Sequence, residues 1–251
     1  MENNSTIYES FTLPSKGLVY DKEVDPRITL RPMKTIEEME RLSPTEAPYK
    51  VMSDIIEKCM KVPPKIHVYD MCLGDYQFLL HKIRIVTYGT KYKMAVMCPK
   101  CEQYEELEAD LSSLEVHEYT PEVDDLKRIT LPVSNDLVTL RFQTPRDLDT
   151  IAFKKKERQK KTKLNKDYGL MYTLMSLIDE VDGRKLDAFE TEEYVKNLYM
   201  GDVNFILRSA EKLNASIGLE SFITVTCNNP ECEHEFIAPF RITSEFFGPS
   251  I

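Results

Sequence analysis

The sequence predicts an α+β protein built by internal duplication of a strand–helices–β-hairpin unit, with the two halves joined by a zinc-ribbon-like site of four cysteines. Three observations carry this prediction. Leu73-Gly74-Asp75-Tyr76-Gln77-Phe78-Leu79-Leu80, then Gly89, then Cys98-Pro99-Lys100-Cys101 is echoed by a second stretch: Met200-Gly201-Asp202-Val203-Asn204-Phe205-Ile206-Leu207, then Gly218, then Cys227-Asn228-Asn229-Pro230-Glu231-Cys232. Each stretch sets its first cysteine nine positions after its glycine (98 − 89 and 227 − 218). The echo also continues upstream. Thr12-Leu13-Pro14-Ser15 matches Thr130-Leu131-Pro132-Val133-Ser134, and Ile28-Thr29-Leu30-Arg31 matches Val138-Thr139-Leu140-Arg141. The offset drifts from 118 to 110 to 127 to 129, as insertions between collinear parts would make it, and two copies do not make a solenoid.

The first copy is expected over 11–111, after a polar arm at 1–10. Short strands fit Phe11–Leu13 and Ile28–Arg31. Thr35 with Glu38 is a capping-box pattern that opens a helix. Pro44 and Pro48 break that helix, and Pro48 suits the first turn of the next one. There Val51, Met52, Ile55, Ile56, Cys59 and Met60 form one apolar stripe, which Pro63-Pro64 ends. Asp75 is read as the N-cap of the signature helix and Gly89 as its stop, with Phe78 buried on its apolar face. Tyr92, Met94 and Val96 alternate as a strand that leads into the cysteines.

An acidic linker at 112–128 separates the copies. The second copy, 129–241, repeats the plan: a strand at Leu137–Phe142 and a helix opened by Thr144, Pro145 and Asp147. A further apolar helix covers Leu170, Met171, Leu174, Leu177, Ile178 and Val181. The signature helix starts at Asp202, with Phe205 buried, and stops at Gly218. Strands Phe222–Thr226 and Phe236–Phe240 flank the second cysteine pair, and 242–251 form a tail. The chief difference between the copies is a lysine-rich insertion over 154–163, in which Lys154, Lys155, Lys156, Lys160 and Lys161 are candidates for binding a partner. Such charge runs are more often solvated helix faces.

Composition narrows the function. Apolar residues at 42% and charged residues at 30% describe an ordinary globular protein, and no apolar run reaches the ~18 residues of a membrane span. A net charge of −9 disfavours a general nucleic-acid binder. No charged-then-apolar leader opens the chain, so a reducing compartment is expected, where paired cysteines mean metal before disulfide. Cys98, Cys101, Cys227 and Cys232 are therefore read as the ligands of one structural zinc per chain, with Pro99 and Pro230 stiffening the two turns. Cys59 and Cys72 read as buried hydrophobes. His234 is a competing ligand, disfavoured because four thiolates suffice. Such a site has no open position to activate water, and the chain has no HExxH, GxSxG or glycine-rich phosphate loop, so no enzyme is expected.

Phe11-Thr12-Leu13-Pro14-Ser15-Lys16-Gly17, Leu73-Gly74-Asp75 through Arg84, and Cys98-Pro99-Lys100-Cys101 together resemble the baseplate hub assembly proteins of large contractile-tailed bacteriophages. The likeness covers most of the first copy and, more loosely, the second. It implies a non-enzymatic hub protein or assembly chaperone working with the central hub and tail spike proteins. It also implies residence in the host cytoplasm during assembly, and leaves open whether the protein stays in the tail baseplate of the finished virion. The alternative is a zinc-ribbon nucleic-acid-binding or transcription regulatory protein. The partner and the oligomeric state stay open.

Overall fold

The computed structural model describes residues 7–161, 167–220, 222–240 and 244–247. Residues 1–6 of the expected arm, 162–163 of the lysine run, and 242–243 and 248–251 of the expected tail lie outside the described residues. The chain is α+β, with short strands, eight described helices and two apolar cores.

In the first half, β1 (Glu9–Thr12) pairs antiparallel with β2 (Arg27–Leu30), whose Ile28 and Leu30 turn inward by strand alternation. Next come α1 (Thr35–Leu42) and α2 (Pro48–Cys59), the latter opened by its proline as predicted. The cap of α1 differs from the prediction. Glu37, not Glu38, receives the Lys34 N–H at 2.6 Å, because Arg31 fixes Glu37 at 2.8 Å while Glu38 turns to Arg41. A 3-10 turn at Val68–Asp70 leads into α3 (Leu73–Tyr88), followed by the hairpin of β3 (Lys91–Met97) and β4 (Tyr104–Asp110).

The stretch read as a linker holds a 3-10 turn at Leu111–Ser113, β5 (Val116–His117) and α4 (Glu122–Asp125). The second half opens with β6 (Arg128–Thr130) and β7 (Leu137–Leu140), then α5 (Pro145–Lys161) and α6 (Gly169–Leu177). The predicted helix through Val181 stops early: Ile178–Val181 is β8, which joins β6 and β7 in a three-stranded sheet. The β-branched Ile178 and Val181 suit a strand better than a helix. After these come α7 (Ala188–Asn197), α8 (Met200–Ala215), β9 (Gly218–Leu219) and the hairpin of β10 (Phe222–Thr226) and β11 (Glu235–Pro239).

Leu30, Ile55, Ile56, Leu79 and Ile83 centre the first core; Leu131, Val138, Leu174, Ile206 and Leu213 centre the second. Each such side chain contributes roughly 1.5–3 kcal/mol on burial. The first core is completed from far along the chain. Phe246, fully buried in a 3-10 turn at Ser244–Phe247, edges against Tyr92 and Phe240, and its carbonyl accepts from buried Arg84 at 3.2 Å.

The helices of the two halves meet along a seam. The Leu73 N–H donates to the Gln143 carbonyl at 2.9 Å. Asp149 of α5 accepts from the Lys50 N–H at 2.9 Å and the Tyr69 hydroxyl at 3.1 Å, and Arg146 pairs with Asp70 at 2.5 Å. Gly74 lies flat on Ile217-Gly218; a Cβ there would stand 2.2 Å from the Ile217 carbonyl oxygen.

Candidate metal centre

The two cysteine pairs sit in the turns of the two hairpins, and the turns are built alike. In the first, the Cys98 N–H donates to the Gln103 carbonyl and the Glu102 N–H to the Cys98 carbonyl, both at 2.9 Å. In the second, the Cys227 N–H donates to His234 and the Glu233 N–H to Asn229, both at 3.0 Å. Glu102 and Glu233 both take the left-handed conformation, at φ 58° and 43°. That bend just after the second cysteine curls each turn so that both its sulfurs face the other hairpin.

The four sulfurs all lie within 4.8 Å of one another, with Cys98 Sγ 3.9 Å from Cys232 Sγ and Cys101 Sγ 3.6 Å from Cys227 Sγ. A disulfide would need about 2.05 Å. A tetrahedron of thiolates at the zinc–sulfur distance of about 2.3 Å has edges of about 3.8 Å, so the spacing fits a tetrahedral thiophilic ion. Cys98 and Cys227 are buried, while Cys101 and Cys232 are partly open. Burial opposes ionisation of Cys98, but the N–H groups of Cys101 and Lys100 point at its sulfur and hold the thiol down to about 7. Burial pushes Cys232 up instead. His234 stacks on Phe236 and is not among the clustered ligand atoms.

The Gly-Asp motifs do a different job from the one predicted. Asp75 and Asp202 are not N-caps; those positions belong to Cys72 and Tyr199, and each aspartate sits three residues inside its helix. Asp75 accepts from the Ser15 N–H at 2.9 Å, the Ser15 hydroxyl at 2.5 Å and the Tyr20 hydroxyl at 2.6 Å. Asp202 accepts from the Val133 and Ser134 N–H groups at 2.8 and 3.1 Å. Each signature helix thus grips the Leu-Pro turn of its own half. The signal was present in the sequence, since both motifs recur in step, but repetition does not say that one binds the other. Burial holds the Asp75 carboxyl above its ordinary value, and burial with the charge of Asp75 pushes Cys72 up to about 12. Two further expectations fail here. Phe78 is 5% exposed but Phe205 is 39% exposed, and α8 ends at Ala215 with Ser216 as its cap, leaving Gly218 to start β9.

The lysine run is the C-terminal part of α5, and much of its charge is met within the chain. Lys155 pairs with Asp167 at 3.0 Å, Lys161 with Glu157 at 2.5 Å, Lys156 with Glu46, and Lys154 lies 5.7 Å over the Tyr172 ring. The structure does not bring the run together with the cysteines as one set of ligands. An open cleft elsewhere collects Asp136, Asp182, Arg184, Glu190 and Tyr194, but these groups are already engaged. The Tyr194 hydroxyl donates to Asp136, Asp182 accepts from the Leu137 N–H, and Arg184 pairs with Glu190. Among the described residues no helix is long and apolar enough to cross a membrane.

A family model described as T4 bacteriophage base plate protein matches residues 6–248. No curated relative and no solved structure matches the chain at significance.

Proposed function

Since this chain belongs to the T4 bacteriophage base plate protein family, we propose that it serves the tail baseplate as a hub protein or hub assembly factor, without enzymatic activity. The family match over nearly the whole chain carries this reading and brings with it a structural role among other tail and baseplate proteins. In the same reading the four cysteines hold one structural zinc. Four thiolates leave no coordination position for a substrate, so the ion staples the two hairpins and does no chemistry.

The two halves are, in this reading, copies of one unit, and matched hydrogen bonds support it. The Arg31 N–H donates to Cys59 and the Arg141 N–H to Leu177. The Met33 N–H donates to the Thr87 hydroxyl, and the Gln143 N–H to the Asn214 side-chain carbonyl. Arg31 clasps Glu37 as Arg141 clasps Asp147, both at 2.8 Å. The exposed lysines of α5, Lys160 among them, remain the candidate contact with a partner.

Elemental analysis of the purified chain is expected to give one zinc per molecule, lost in Cys98→Ser. Structural zinc is worth about 10–16 kcal/mol in small peptides. Here each half keeps its own apolar helices, so the variant should melt lower and expose its hairpins to protease while retaining much of its helix. From infected cells the protein should co-purify with hub proteins. Glutamate in place of Lys154, Lys155, Lys160 and Lys161 should lower that yield without unfolding the protein, because exposed ion pairs add only about 0–1 kcal/mol. Binding to DNA or RNA that falls steeply with salt would instead favour a regulator.

A further inference from the structure

We infer that a second copy of this chain docks head to tail, through a contact that repeats the seam between the two halves. The inference rests on reading the halves as equivalent units. Within the chain, the second half offers the leading face of α5 and Gly218, and the first half receives it with Tyr69, Asp70, Leu73 and Gly74. That contact is not two-fold, so one face of each kind is left over.

The unused leading face belongs to the first half. The matched clasps of Arg31 with Glu37 and Arg141 with Asp147 set α1 and α5 in register at an offset of 110, so Ile36 and Met39 stand where Arg146 and Asp149 stand on α5. Ile36, Met39 and Leu42 are 56%, 60% and 67% exposed. They make an apolar stripe that faces water, while the polar Glu37 and Arg41 side chains turn inward. Gly89, the counterpart of Gly218 in spacing to the cysteine, has nothing within 4 Å of where a Cβ would be.

The unused receiving face belongs to the second half. The Met71 N–H closes the turn onto Val68 as the Leu198 N–H closes onto Val195, an offset of 127 that places Asn197 at Asp70 and Tyr199-Met200 at Cys72-Leu73. Cys72 is 2% exposed under the seam, whereas Tyr199 and Met200 are 65% and 59% exposed.

The two leftover faces match each other in character. The internal seam holds the ion pair of Arg146 with Asp70; the corresponding residues outside are Ile36 and Asn197, and Tyr69 corresponds to Lys196, whose charge is already met by Glu192 and Glu193 of its own helix. Asp149 supplies acceptors to the amides that open α2, and its counterpart Met39 cannot. The start of α6 does not require it, because Asp167 of the same chain already accepts from the Gly169 N–H at 2.7 Å. Isolated surface apolar residues are common, but here two exposed faces lack the partners of the same internal ion pair, which suits them to each other. A head-to-tail contact of this kind closes into a ring or continues as a filament.

The test uses sedimentation equilibrium on the full chain. The mass of the wild type should rise with concentration beyond a monomer. Met39→Glu on the leading face and Met200→Glu on the receiving face should each weaken self-association about tenfold or more. An equimolar mixture of the two variants should form a dimer and stop there, because one intact face of each kind remains. Both substitutions are on the surface, and unchanged melting temperature and zinc content will show that the fold is kept. A wild type that stays monomeric, variants that associate as well as wild type, or a mixture that does not pair would overturn the inference. A monomer that still binds zinc and co-purifies with hub proteins would overturn self-docking alone; a self-associating chain without them would overturn only the proposed function.

Discussion

Helices α3 and α8 are each 16 residues long, begin with the same Gly-Asp pair and grip the same kind of turn. Yet nine residues of α3 are buried and only five of α8. The difference lies in what surrounds them. α3 lies between its own strands, the seam with the second half, the turn at Leu111 and the returning Phe246, and Gln77 is its one exposed residue. α8 rests mainly on its own half and meets the first half at α3. Two similar segments can therefore carry very different loads, and position in the assembled chain decides which.

The glycines at the start of these helices should separate most widely. Gly74→Ala pushes a Cβ to within 2.2 Å of a backbone oxygen, which cannot swing aside, and is expected to cost about 3 kcal/mol or more. In Gly201→Ala the new carbon meets only the Val133 side chain at 3.0 Å, so the change should stay within about 0.5 kcal/mol. Urea denaturation of the two variants makes the comparison, and equal losses would mean that the seam is not tightly packed.

The aspartates should separate next. Asp75→Ala strands two hydroxyls and an amide in the interior, for about 3–5 kcal/mol, against about 1–2 kcal/mol for Asp202→Ala, which frees two amides nearer the surface. Thermal melts that rank them the other way would contradict the burial assigned to the first clamp.

The smallest contrast depends on pH. His81 of α3 is buried and its Nε2–H donates to the Leu111 carbonyl at 2.8 Å, while its Nδ1 lacks a partner among the described residues; Arg208, the matching residue of α8, is exposed. Burial lowers His81 from 6.5 to about 4. A depressed value means that the unfolded chain takes up the proton first, so stability is full above pH 6.5 and falls as the pH drops toward 4. The loss is roughly 3 kcal/mol. Asp75, shifted upward by burial, acts in the opposite sense, so the difference between wild type and His81→Gln isolates the histidine. A slope that survives in His81→Gln would assign it elsewhere.

Much of this was legible in the sequence, for reasons that are local. Period, spacing and proline placed β3, α2, α3 and the two cysteine turns, because each depends on residues within a few positions of one another. What was missed depended on distant neighbours. Glu37 outcompeted Glu38 because Arg31 and the end of α2 stood beside it. Asp75 looked like a cap because its true donors, Ser15 and Tyr20, lie about 60 positions upstream. Phe205 matched Phe78 in sequence but not in surroundings, since the cover over α3 has no counterpart over α8. The convergence of the four cysteines was legible only because the motif occurred twice.

Phe246 and Arg84 bear on the order in which the molecule can be completed on the ribosome. They are 162 positions apart, and until the later one emerges the earlier half has a buried guanidinium without one of its acceptors and a core without its plug. At about 5–20 residues per second the wait lasts on the order of ten seconds. The first half therefore cannot reach its final packing during its own synthesis. It waits for Phe246, so a product cut short before that residue carries a defect in residues translated long before.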